Sequence, residues 1–463
     1  MNASFRASRI AALLVCLAAT CVGAAPAPIS AGADRIVERT LANGMKIVVW
    51  PDQDIPNVAL YTFFKVGSRN EHAGITGISH FFEHMMFKGT KTRKPGEFDR
   101  VMEASGGSNN ASTSSDVTIY QDWFPASTLE LIFDLESDRM RNLDFEPQAV
   151  ESERGVVYSE RRSRIDNDSF GTLVEQVQAT AFVAHPYEIP TLGWPSDIEG
   201  WKIDDLRSYY QRYYAPNNAV MFVVGAVTPE EVFRLVDKYF ASIAAQPAPT
   251  PVTTKEPVQL GERRIRIERE SQTPWLAMAW HAFSAKDRQT RVMEVLMSIL
   301  GDGDSSRLHQ RLVEKERAAV DLGTAVDQGF DPGLVWIYAI VPPGGDAART
   351  EKLIDEEIAR LAQDGPTAAE LTKARNQALV SFWRGLETIS GKAEALGQYE
   401  VFHGDYRLLF DAPSVYESIT AEDVRALATS VLKSTNRTVG LLESPPAGTA
   451  SPEPAAEPQE HAP

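Results

Sequence analysis

One stretch near the middle of the chain, Ala244–Pro257 (AAQPAPTPVTTKEP), limits what this sequence can fold into more than any other. It is rich in Pro, Ala and Thr and shows no apolar periodicity, so it reads as a stiff, extended interdomain linker. On either side lie two bodies of comparable size, residues 32–243 and 258–444, each long enough to bury a core of its own. Pro445–Pro463 has no large apolar residue and reads as a disordered tail.

The first body opens with strands. Lys46–Trp50 follows the turn pair Asn43-Gly44, and Val58–Val66 is a β-branched and aromatic run. A helix is expected from about Ile75 to Phe87, stopped by Gly89, then a strand over Asp116–Phe124. Ser127–Glu130 reads as a capping box for a helix reaching about Asn142. Helices are expected over Pro147–Arg164 and Asp204–Tyr213, a buried strand over Ala219–Val224, and a helix over Pro229–Phe240 capped by Thr228. The second body repeats the recipe. Its strands are Arg263–Glu268, Trp275–His281 and Leu334–Ile340; its helices are Asp287–Leu300, Arg349–Leu361 and Ala368 to about Tyr399. The fold class is therefore α+β, two homologous α/β sandwich domains in which a sheet packs on helices. Gly77–His84 (GISHFFEH) has a loose counterpart in Gly303–Gln310 (GDSSRLHQ), which suggests a duplication whose second copy lacks the ionisable cluster.

Residues 1–24 read as a secretory signal peptide. Arg6 and Arg9 precede the short apolar run Ile10–Val22 and the small residues Gly23 and Ala24, with cleavage expected after Ala24. Both cysteines, Cys16 and Cys21, fall inside it, so the mature chain would have no disulfide, thiol nucleophile or Cys-bound metal. That leader predicts a periplasmic or secreted product, and no later apolar run is long enough for a transmembrane segment. With 63 Asp+Glu against 46 Lys+Arg and a net charge of -17, the chain lacks the basic footprint that nucleic acid requires.

His80-Phe81-Phe82-Glu83-His84 is the sharpest chemical feature. Positions i and i+4 of a helix share a face, so the two imidazoles can converge on one ion, and zinc suits them best. Glu83 adjoins His84 and points somewhat aside, which leaves it free to act on water. A third ligand must come from elsewhere, and in a chain without cysteine a carboxylate is the natural candidate. Pro147–Arg164 offers Glu151, Glu153 and Glu160, the last two seven residues apart on one face. Spacing alone does not choose among them. The remaining histidines are isolated and read as structural or surface residues.

The stretches HFFEHMMFKGT, GGSNNASTSSDVTIY and ESERGVVYSE resemble the pitrilysin/insulinase family of inverted-motif (HxxEH) zinc metallopeptidases, in the two-domain style of the mitochondrial processing peptidases. The resemblance extends over most of the mature chain, through RTLANGMK from Arg39, YAPNNAVMFVVG from Tyr214 and GDGDSSRL from Gly301. It implies one zinc ion per chain held by His80, His84 and Glu160, with Glu83 as general base. It implies that Glu153 supports the site, so that its loss costs activity more than metal. It also implies that Asn110, Ala111 and Ser112 belong to an edge strand on which substrate is laid; the polar run there suits β-augmentation by an extended peptide. An oxyanion-stabilising Arg and Tyr are expected from a second-half domain, for which Arg384 and Tyr399 are available. A chain of this length is half of the family's closed chamber, which implies a partner, either a second copy or a paralogous subunit. The expected activity is that of an exported metalloendopeptidase cleaving peptides or small unfolded polypeptides; the alternative is a non-catalytic or partner-dependent subunit of a heteromeric peptidase.

Overall fold

The computed structural model describes residues 33–445; the leader at residues 1–24 and the tail beyond residue 445 lie outside them. Eleven strands form two sheets. The first contains β1 (Val37–Thr40), β2 (Lys46–Pro51), β3 (Asn57–Phe64), β4 (Ser108–Thr113), β5 (Thr118–Pro125) and β6 (Ala219–Gly225), in the order β1-β2-β6-β3-β5-β4. The second contains β7 (Arg263–Glu268), β8 (Trp275–His281), β9 (Asp321–Val326), β10 (Leu334–Ile340) and β11 (Arg437–Glu443), in the order β7-β11-β8-β10-β9.

The two sheets share one wiring. β2 and β6 pair in parallel, as do β7 and β11. Every remaining step through β3, β5 and β4, and through β8, β10 and β9, is antiparallel. In each half a helix follows the second strand of this unit: α1 (Ile78–Met85) after β3, and Arg288–Gly301 after β8. The segment Gly303–Gln310 therefore follows the helix equivalent to α1 instead of forming it.

Sheets covered on one side only are not what the chain builds. In β2, Ile47 and Val49 face the first domain's helical core, while Val48 and Trp50 face the other way. That second face is covered by Ile389, Ala393 and Leu396, from a helix of the second half, Ile389–Gln398. Reciprocally, Leu173, Val177 and Ala181 of a first-half helix, Ser169–Ala181, cover Ala277, Ala279 and Trp336 of the second sheet. β6, AVMFVVG, is buried throughout, as a strand sandwiched on both faces requires. Residues 244–260 carry no helix or strand, and Glu256 among them accepts hydrogen bonds from the backbone N–H groups of Val183, Ala184 and His185.

Three expected helices have different ends. α1 begins at Ile78 because Gly77 precedes it with φ 84°, outside the right-handed helical region. The expected helix from Ala368 to Tyr399 is two, Ala368–Gly385 and Ile389–Gln398, and Thr388 caps the second through the N–H of Gly391. Leu129–Asn142 has no side-chain cap: Thr128 donates its hydroxyl to the Pro125 carbonyl instead.

In the second half, Arg307 grips Glu370 through Nε at 2.7 Å and Nη2 at 2.8 Å, while Glu370 closes the capping box of Thr367. Arg307 first, aided by the Thr367 groups, pulls the Glu370 carboxyl down to about 2. A depressed acid stabilises the fold above its ordinary value of 4.5 and ceases to do so as pH falls through about 2. Glu370→Gln is accordingly expected to lower the urea midpoint at pH 7, with the deficit shrinking between pH 4.5 and 2. An undiminished deficit at pH 2 would refute this assignment. Among the described residues no helix is long and apolar enough to cross a membrane.

Candidate active site

α1 places its apolar side, Ile78, Phe81, Phe82 and Met85, fully in the first-domain core. The opposite side carries His80, Glu83 and His84 toward α2 (Pro147–Arg161) and β4. The tyrosine hydroxyl of Tyr120, on β5, donates to the Phe82 carbonyl at 2.9 Å and ties α1 to the sheet.

His84 stands between two carboxylates of α2. Its Nδ1 lies 2.8 Å from Glu153 Oε1, and its Nε2 lies 3.2 Å from Glu160 Oε2. The same Glu160 oxygen lies 3.5 Å from Nε2 of His80. The donor atoms of His80, His84 and Glu160 thus fall within 4.8 Å of one another. Glu153 stands at the far nitrogen of His84 and also pairs with Lys88 at 2.9 Å. Glu151, on another side of the helix, is exposed and pairs with Arg154.

The electrostatics separate the two imidazoles. Burial, reinforced by the charge of His84, pushes His80 down to about 4, so it is a neutral donor. For His84, burial opposes the charged form, yet hydrogen bonds to Glu153 and Glu160 outweigh it and hold the ring up to about 9. Glu160 is lowered, chiefly by its hydrogen bond to His84. Burial raises Glu83, against the charge of His84. Nδ1 of His80 is buried without a hydrogen-bond partner among the described residues. Two imidazole Nε2 atoms facing one carboxylate oxygen, with a carboxylate behind one ring, fit a zinc ion in chemistry and in span.

β4 lies at the end of its sheet, with β5 as its one strand neighbour among the described residues. Asn110 and Ser112 point outward, while Ala111, opposite Tyr120, packs onto the core. The Thr113 hydroxyl, on the same strand, is buried without a hydrogen-bond partner among the described residues. The second half contributes nothing comparable. Arg384 is exposed at the end of its helix. Tyr399 stacks on His403, meets Arg291 at 3.5 Å, and belongs to the layer on the face of the first sheet opposite α1. Among the described residues, every side chain bonded to His80, Glu83, His84 or Glu160 comes from the first half.

Sequence reasoning passed over Lys88, Glu71 and Arg161. Lys88 lies one turn beyond His84, a helical spacing that could have flagged it. Glu71 bonds to the backbone N–H groups of Gly77 and Ser79 and Arg161 to the Gly193 carbonyl, contacts that leave no periodic signal.

Residues 47–194 match the family described as Insulinase (Peptidase family M16), and residues 200–378 match the Peptidase M16 inactive domain. The zinc protease PqqE of Helicobacter pylori is 33% identical over 409 residues, covering 87% of this chain and 92% of that protein. An uncharacterised zinc protease of Mycobacterium leprae is 30% identical over 399 residues, covering 86% and 89%. The crystal structure of a protease from Helicobacter pylori superposes with a TM-score of 0.85 at 32% identity, covering 88% of this chain and 99% of that one. The periplasmic protease PqqL from Escherichia coli shares the fold, with a TM-score of 0.74 at 20% identity over 89% of this chain and 48% of that one.

Proposed function

The chain belongs to peptidase family M16, and from that premise we propose that it is an exported zinc metalloendopeptidase cleaving peptides or small unfolded polypeptides. The observation that carries this reading is the convergence of His80, His84 and Glu160, with Glu83 one residue from His84 on the same helix. His80 and His84 through Nε2, and Glu160 through Oε2, would hold the ion. When bound, zinc polarises a peptide carbonyl and brings the pKa of water toward ~7. Glu83 takes the proton of the attacking water on its carboxylate and delivers it to the leaving nitrogen. Its raised pKa helps it keep that proton between the two steps. Glu153 would accept the Nδ1 proton of His84, so that Nε2, on giving up its own proton, would be the nitrogen left to hold the ion. An extended substrate adds to the open edge of β4, where Asn110, Ala111 and Ser112 offer backbone groups. The leader read at residues 1–24 supports export to the periplasm or beyond.

A second reading draws on the absence of second-half side chains at the site. Among the described residues Arg164, of the same half, pairs with Glu160 at 3.1 Å, and the second half brings no cation to the ligand set; in this reading a partner, a second copy or a paralogue, supplies the oxyanion donor. The test is cleavage of quenched, unstructured peptides by residues 25–463. Cleavage that stops with a chelator and returns with zinc is the expected outcome. A folded, zinc-loaded chain that stays silent until a paralogous subunit is added would establish the partner-dependent reading instead.

A further inference from the structure

α1 is only eight residues long, and its N-cap, Gly77, has no side chain to satisfy the first N–H groups. Glu71 does so from the preceding loop. Its Oε2 accepts from the Gly77 N–H at 2.6 Å and its Oε1 from the Ser79 N–H at 2.8 Å. The Ser79 hydroxyl is bonded in turn to the Tyr209 hydroxyl at 2.7 Å. Glu71 is 6% exposed, and it pairs with no Lys or Arg among the described residues. A carboxyl group kept there against burial has an assigned task.

The other metal-bearing helix is fastened at the same point. Arg161, which directly follows Glu160, is 3% exposed and grips Glu175 through both terminal nitrogens at 2.8 and 2.9 Å. It also donates to the Gly193 carbonyl at 2.6 Å. Gly193 touches Gly77: a Cβ on Gly193 would lie 2.5 Å from the Gly77 Cα, and both glycines have positive φ. Asp197 closes this junction by accepting from the Gly74 N–H at 2.9 Å and the Thr76 hydroxyl at 2.7 Å. The start of α1 and the end of α2 are therefore bolted to one backbone contact, Gly77 against Gly193.

We propose that Glu71 and Arg161 are positioning residues of the metal site, which set the distance between the His80/His84 pair and Glu160 before an ion arrives. This rests on the reading of those three residues as the ligand set. Neither group bonds to a ligand side chain; each acts through the backbone of the helix that carries one. Loss of Glu71 frees the first turn of α1 to shift along its axis, and loss of the Arg161 fork frees the end of α2 to move away from it.

The test separates positioning from plain stability. Glu71→Gln keeps volume but presents an amide donor to one of the two N–H groups; Arg161→Lys keeps charge and loses the fork. Arg437→Lys is the control, since Arg437 is a buried arginine of the other half, bonded to Glu262 through Nε at 2.8 Å and outside the junction. Zinc affinity by chelator competition, the visible spectrum of the cobalt-substituted protein and thermal unfolding would be recorded for each. The expected result is zinc binding weakened about 10- to 100-fold with an altered cobalt spectrum in Glu71→Gln and Arg161→Lys, the range for lost support of metal ligands. Arg437→Lys should lose thermal stability while keeping both metal readouts. Unchanged zinc affinity in both junction variants, or an equal loss in Arg437→Lys, would overturn the proposal. Should Glu71→Gln fail to fold, Arg161→Lys decides alone. A wild-type chain that binds zinc but cleaves nothing by itself would overturn the reading of a self-sufficient peptidase, while the affinity ratios still judge the junction; a wild-type chain that binds no zinc would overturn both.

Discussion

Glu83→Gln is expected to keep zinc bound and to lower peptide hydrolysis about 10²- to 10⁴-fold, the usual contribution of a positioned general base. The amide has the volume of the carboxylate, so the helix and the His80, His84 and Glu160 cluster are expected to stay as they are. What it cannot do is accept a proton from water and hand it on. Turnover and zinc content measured on the same preparation decide the matter. Turnover equal to the wild type would remove Glu83 from the mechanism, and turnover absent from the wild type as well would favour the partner-dependent reading.

Glu160→Gln is expected to have the opposite signature, with zinc lost and hydrolysis lost along with it. Glu160 places one oxygen 3.2 Å from His84 Nε2 and 3.5 Å from His80 Nε2, and among the described residues no other carboxylate pairs with both of these nitrogens. Two neighbouring imidazoles without that charge bind a divalent cation poorly. Dialysis against a metal buffer should strip the variant under conditions that leave the wild type loaded. Glu153→Gln is the graded comparison: it changes the group behind His84 and should cost turnover more than zinc occupancy. Full zinc retention by Glu160→Gln would falsify the ligand assignment.

Much of this was legible from residue order. An i, i+4 histidine pair with a carboxylate beside the second is decided by helical geometry alone, and the apolar residues Phe81, Phe82 and Met85 identify the side that must be buried. The division into two bodies of similar wiring was legible for a related reason, because strand and turn signals are local. The coverage of each sheet by a helix from the other half was not. A strand such as β6 announces that both its faces are buried, but nothing in AVMFVVG says which segment does the covering.

The same limit runs through the site. By itself the sequence determined which candidate donors share a face, two imidazoles on one helix and carboxylates two turns apart on another, because covalent spacing and helix pitch fix that arrangement. Only the tertiary structure decided that Glu160 faces both Nε2 atoms while Glu153 backs His84, since carboxylates seven residues apart differ only in what stands opposite them. It alone brought Glu71 to the start of α1 and Arg161 to Gly193, because such contacts are closed by packing between segments distant in the chain and leave no period to read.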